Sequence, residues 1–218
     1  MAQAQSIVVT THGRYLVESP VDGPPRGLIV GFHGYAESAD RALERLQSIP
    51  GSIRWTLVSI QGLHRFYRGR STDVVASWMT RQDRDLAIDD NGAYVSAVIA
   101  AVTGESPVKY PLVFAGFSQG VAMAFRAACA SATPVSAVLA VGGDVPPELS
   151  HAQLARLPSV LLARGTRDEW YTTAQWEADQ VRLRAAPVDL VALGFDGGHE
   201  WHADVNRASA ALLERVGR

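Results

Sequence analysis

Cysteine is almost absent from this sequence: Cys129 is the one residue of its kind. No intramolecular disulfide can form, and the Ala-Ala-Cys-Ala setting reads as a small buried hydrophobe in a reducing compartment. Net charge is also missing. Twenty basic and twenty-two acidic residues leave a formal charge of −2, which removes the electrostatic footprint that nucleic acid would demand. Lysine is reduced to Lys109 among the basic residues, a compositional bias from which no function is read. No apolar run approaches the length of a bilayer span, and the first residues lack a charged n-region followed by a long apolar stretch. The expectation is a soluble, cytoplasmic chain without stable membrane insertion, monomeric or homodimeric. With 218 residues, 47% of them hydrophobic, it is long enough for one well-buried domain over 1–218.

What is present is a recurring pattern. Six short runs rich in branched apolar residues each close on glycine or a turn residue: GLIVGFHG (27–34), WTLVSIQG (55–62), PLVFAGFS (111–118), SAVLAVGG (136–143), SVLLARG (159–165) and VDLVALG (188–194). Near-continuous apolarity is what strands covered on both faces require. Helical spacing lies between them, over 37–49, 85–102, 120–130, 173–185 and 203–216. In the last, Val205, Ala208, Leu212 and Val216 share a stripe. Alternating strands and helices predict an open α/β fold, a mostly parallel central sheet with helices on both faces. Residues 6–19, SIVVTTHGRYLVES, read as an edge hairpin turning at His12-Gly13. The one long connection, 63–84, is expected to rim a binding site.

Ser118 stands between two glycines, where the strand of 111–115 gives way to a helix. Gly-x-Ser-x-Gly at such a turn holds a serine in a tight conformation and projects its hydroxyl from the carboxyl edge of the sheet. A serine needs a base, and the base needs an acid to fix its tautomer. Only His199 and His202 follow the last predicted strand; His199, after Gly197-Gly198, is favoured because its loop can fold back over the sheet edge. Asp168, just beyond the strand of 159–164, is the favoured acid over Asp144, while Asp196 lies too close in sequence to orient His199. The oxyanion of acyl transfer needs two donors. The N–H of Gln119 and that of Tyr35, in the loop closing strand 27–32, are the candidates, with His33 structural.

Other constellations carry less. HEWH (199–202) spaces its histidines three apart beside glycines, where metalloprotease helices need four, so neither metal nor other cofactor is expected. Asp83, Asp85, Asp89 and Asp90 favour a helix N-terminus and its solvent face. HRFYRGR (64–70) mixes arginines with aromatics; Arg65, Phe66, Tyr67 and the later Trp78 are candidates to line an acyl or head-group pocket.

Taken together, GFHGYAES (31–38), AGFSQGVAMA (115–124), ARGTRDEW (163–170) and GGHEWH (197–202) resemble the α/β-hydrolase superfamily, and within it the small carboxylesterase and phospholipase group that includes acyl-protein thioesterases. The resemblance implies an α/β-hydrolase fold without a cap domain and a serine esterase working through an acyl-enzyme. Ser118 attacks, His199 is base and then acid, Asp168 orients it, and Gln119 and Tyr35 donate to the oxyanion. Small-molecule esters, thioesters or lysophospholipids are the implied substrates. The chain departs from that group in having Ala36-Glu37 where a second glycine and an acid are common, and Arg164-Gly165 where a His-Gly pair is common. A non-catalytic binding protein on the same fold, or a small peptidase, are the other readings.

Overall fold

The computed structural model describes residues 2–104 and 110–217; Lys109 lies outside them. Seven strands form one sheet: β1 (Tyr15–Glu18), β2 (Leu28–Phe32), β3 (Thr56–Ile60), β6 (Leu112–Phe117), β7 (Ala137–Val141), β8 (Ser159–Gly165) and β9 (Asp189–Phe195). Their order across the sheet is β1-β3-β2-β6-β7-β8-β9, with β1 antiparallel and the others parallel. All six apolar runs of the sequence are strands.

Side chains alternate across a pleated strand, so each run supplies two cores. Leu28, Val30, Phe114, Val138 and Val160 face one side with α2 (Arg84–Thr103), α3 (Gln119–Ala130) and α5 (Thr173–Ala185). Ile29, Leu57, Val113, Leu139 and Leu161 face the other, under α1 (Ala39–Gln47) and α6 (Ala203–Val216). Each fully buried branched side chain contributes about 1.5–3 kcal/mol, which is why polar alternation is absent from the central strands. Along α6 the buried residues are Val205, Ser209, Leu212 and Leu213, with Ala208 and Val216 partly covered.

Helix starts follow local chemistry. Ser38 caps α1 by accepting the Arg41 N–H, and Thr172 with Gln175 forms a capping box at α5. Ser150 and Gln153 do the same for the short α4 (His151–Leu154). His202 is the N-cap of α6, its Nδ1 accepting the Asp204 N–H while its ring stacks on Phe195 at 4.9 Å.

Two expectations need correction. The hairpin over 6–19 does not form: only Tyr15–Glu18 is a strand, paired with β3, and Ile7, Val8 and Val9 are exposed. The branched residues there have no sheet face to pack on, and strand propensity counts for little without one. The hairpin lies instead inside the long connection, where β4 (His64–Tyr67) pairs antiparallel with β5 (Val74–Ser77). Ala76 of β5 then bridges to Glu37 in the loop after β2.

Candidate active site

Ser118 sits at the turn from β6 to α3 with φ 52° and ψ −122°, a conformation costing about 1–3 kcal/mol for a residue other than glycine. Close backbone packing enforces it. A Cβ on Gly116 would lie 2.4 Å from the Gly120 carbonyl oxygen, one on Gly120 2.3 Å from that of Phe32, and one on Gly143 2.4 Å from that of Ser118 itself. Strand and helix can approach this far only where side chains are missing.

His199 bridges the turn to the acid. Its Nε2 is 2.8 Å from Ser118 Oγ and its Nδ1 is 2.9 Å from Asp168 Oδ2. A carboxylate facing Nδ1 fixes the proton there, which leaves Nε2 as acceptor for the serine hydroxyl. The other oxygen of Asp168 accepts the Trp170 and Tyr171 N–H groups at 2.9 and 3.0 Å. Asp168 is thereby oriented at both oxygens and is buried. The loop carrying His199 reaches it because Gly165 has no side chain: a Cβ there would be 2.2 Å from the Gly198 carbonyl oxygen. Gly142, at the end of β7 with φ +64°, leaves room for the imidazole, since its Cβ would stand 3.3 Å from the ring. Asp144 is exposed and Asp196 pairs with Arg167 on the surface.

The loop after β2 lies against the start of α3. His33 is fully buried, stacked 5.0 Å from Trp78. Its Nδ1–H donates to the Gly34 carbonyl at 2.7 Å and its Nε2 accepts the Gly62 N–H at 2.9 Å. Burial pushes the imidazole below its ordinary 6.5, opposed only in part by that Gly34 bond and by Glu37. The Gly34 carbonyl and the Tyr35 N–H belong to one trans peptide plane. Drawing the oxygen toward His33 therefore aims the Tyr35 N–H the opposite way. Among the described residues neither that N–H nor the Gln119 N–H, the first of α3, has an acceptor.

Trp78 does not line a pocket. It is 0% exposed, and its indole N–H donates to the His33 carbonyl at 2.8 Å, so it braces the loop from beneath. Phe66 packs against Tyr35 with ring centroids 5.8 Å apart, and Tyr67 faces solvent. Arg65 donates to the His12 carbonyl.

Side-chain contacts that the sequence does not reveal organise these loops. The Gln119 side chain accepts the Trp78 N–H at 2.9 Å and donates to the Met79 carbonyl at 2.9 Å, tying the start of α3 to the segment that follows β5. Arg164 donates to the carbonyls of Tyr171 and Asp168, and the Tyr171 hydroxyl donates to Asp179 at 2.9 Å. The Trp170 ring is 80% exposed and 6.5 Å from that of His199. A signal existed for Arg164, a charge inside an otherwise apolar run. Another existed for Arg45, on the same helical face as Ala39, Ala42 and Leu46. Nothing in sequence joins Tyr171 to Asp179.

A mostly parallel sheet with flanking helices, and Ser118, Asp168 and His199 gathered at its carboxyl edge, define an α/β-hydrolase. Residues 15–186 match the phospholipase/carboxylesterase family, and the chain belongs to it, a hydrolase of that family. No curated protein sequence matches the chain. Among solved structures it resembles the acyl-protein thioesterase 2 of Zea mays, with TM-score 0.74 and 18% identity over 95% of this chain and 100% of that one. It also resembles esterase PE8, with TM-score 0.70 and 22% identity over 94% and 100%. The carboxylesterase of Bacillus cereus gives 0.67 and 17% over 93% and 94%. At these identities the likeness is one of fold. Among the described residues no helix is long and apolar enough to cross a membrane, and no group of three or more His, Cys, Asp or Glu residues is placed to hold a metal ion.

Proposed function

We propose that the chain hydrolyses carboxylic esters, and thioesters or lysophospholipids of the same acyl chemistry, through an acyl-enzyme on Ser118. The observation that carries this reading is the single imidazole of His199 within hydrogen-bond reach of both Ser118 Oγ and Asp168. His199 Nε2 takes the hydroxyl proton as Oγ attacks the carbonyl carbon. Charge develops on the carbonyl oxygen, where the Gln119 and Tyr35 N–H groups donate. Asp168 keeps the imidazolium in place, and Nε2 hands the proton to the departing alcohol or thiol. Water then enters the vacated position, gives a proton to Nε2 and attacks the acyl carbon; the proton returns to Ser118 Oγ as the acid leaves.

The test is a fluorophosphonate probe beside turnover of nitrophenyl esters of increasing acyl length, an acyl-CoA and a lysophospholipid. Wild type is expected to label. Ser118→Ala is expected to lose labelling and about 10⁴-fold or more of turnover, and His199→Ala a comparable amount. An unlabelled wild type, or a Ser118→Ala variant as active as its parent, overturns the reading.

A further inference from the structure

Glu37 keeps an acid where the group it resembles commonly has one, beside Ala36 in place of a glycine, and neither the nucleophile nor the helix cap uses it. Its Oε2 accepts the Gly34 N–H at 2.7 Å. Both its oxygens meet Arg45, Oε2 with Nη1 and Oε1 with Nη2, each at 2.6 Å. Arg45 is 8% exposed and comes from α1, and its guanidinium carbon lies 4.0 Å from the centroid of the Phe117 ring. Phe117 directly precedes Ser118, and its ring is 5.0 Å from that of His199. One ion pair thus touches the loop of Tyr35, the turn of Ser118 and, through Phe117, the base.

Stability is a poor reason for such a pair. A buried ion pair is at best about even against an apolar filling of the same volume. Here the cost is higher still, because Arg45 Nε is buried without a hydrogen-bond partner among the described residues. An apolar pair cannot accept the Gly34 N–H. That bond fixes the peptide plane before Gly34, while His33 and the Glu37 N–H, at 3.3 Å, hold the Gly34 carbonyl in the next plane, the one that carries the Tyr35 N–H. Glu37 is also pinned through its own backbone, its carbonyl accepting the Ala76 N–H of the β4–β5 hairpin at 2.8 Å.

We infer that Glu37 and Arg45 are positioning residues that set the Tyr35 N–H against the nucleophile turn, holding the two halves of the oxyanion site in register before substrate arrives. The inference rests on the catalytic reading above. Removing the pair withdraws a donor from the transition state and leaves ground-state binding largely alone, so it acts on kcat more than on KM.

The full chain is tested with a short nitrophenyl ester and the fluorophosphonate probe. Glu37→Ala is expected to lower kcat about 10- to 100-fold and to slow labelling in parallel, with KM within about threefold of wild type. Glu37→Gln, which still offers an acceptor to Gly34, is expected to recover part of that loss. Unchanged kcat in Glu37→Ala with a lowered melting temperature overturns the inference, since the pair is then only a brace. Should Glu37→Ala fail to fold, Arg45→Lys decides: charge without the planar fork is expected to give a reduced kcat at similar KM, and undiminished kcat overturns the inference. A wild type that neither labels nor turns over any ester overturns the catalytic reading itself.

Discussion

In the loop after β2, Glu37 faces a guanidinium through two bonds of 2.6 Å. Beside Asp168, Asp179 is more deeply buried than Glu37, yet its guanidinium, Arg182, approaches only to 3.4 Å. The remaining donors of Arg182 go to the carbonyls of Val145, Pro146 and Leu149. The two carboxyls are driven in opposite directions. Burial alone raises Glu37, but the Arg45 fork and charge outweigh it and hold the group below its ordinary 4.5. Burial likewise raises Asp179, and the bonds from Val145 and Tyr171 do not recover the loss, so it stays above its ordinary 3.8. Burial alone does not decide the charge of a carboxylate. The charges and donors facing it decide as well: a guanidinium fork for Glu37, and for Asp179 a more distant Arg182 with Asp144 nearby.

The contrast can be broken from either side. Arg45→Met leaves a half-buried Glu37 without its guanidinium and is expected to cost up to about 3–5 kcal/mol. The melting temperature should fall by about 6–20 °C for a chain of this size, read by calorimetry. Tyr171→Phe removes one donor from Asp179 and should cost less, about 1–3 kcal/mol. Its ester turnover should drop only a few-fold, because the Tyr171 backbone N–H still serves Asp168. Equal losses in the two variants would mean that the two carboxylates are braced alike.

The smallest effect is a slope of stability with pH, and its sign differs between the two groups. Glu37, depressed when folded, contributes stability that is present above 4.5 and lost as pH falls through its folded value. Asp179, raised when folded, holds its proton more tightly in the native state. Its contribution therefore declines as pH climbs from 3.8 through its folded value. Denaturation midpoints across the acid range should show Glu37→Gln removing the first dependence and Asp179→Asn the second.

Much of this arrangement was legible before any coordinates. Five of the apolar runs announced central strands because a strand covered on both faces tolerates no polar alternation, whereas the sixth, VDLVALG, forms the edge strand β9 and leaves Val191 exposed. Gly116 and Gly120 announced the turn at Ser118 because close approach leaves a mark in composition. Beside Asp168 only Arg164, a charge inside an apolar run, left such a mark. Asp168 is held by Arg164, Tyr171 and, through it, Asp179, three residues whose roles exist only once β8 and α5 have packed. The β4–β5 hairpin was hidden for a related reason. His64–Tyr67 is exposed throughout, so it shows no buried stripe, and its partner strand became evident only through pairing. Ile7, Val8 and Val9 gave the opposite error, strand chemistry without a sheet to join.

Strand β7 donates no side chain to the Ser118–His199–Asp168 cluster, yet it determines the reach of the imidazole. Ser118 follows β6 and Asp168 follows β8, two inter-strand spacings apart, about 9.5 Å. That interval suits one imidazole bonded at both nitrogens, and Gly142 at the tip of β7 leaves the gap empty for it. The sheet serves as a ruler here: the distance between Ser118 and Asp168 is graduated in strand widths, a length that backbone hydrogen bonding keeps constant whatever side chains the strands carry.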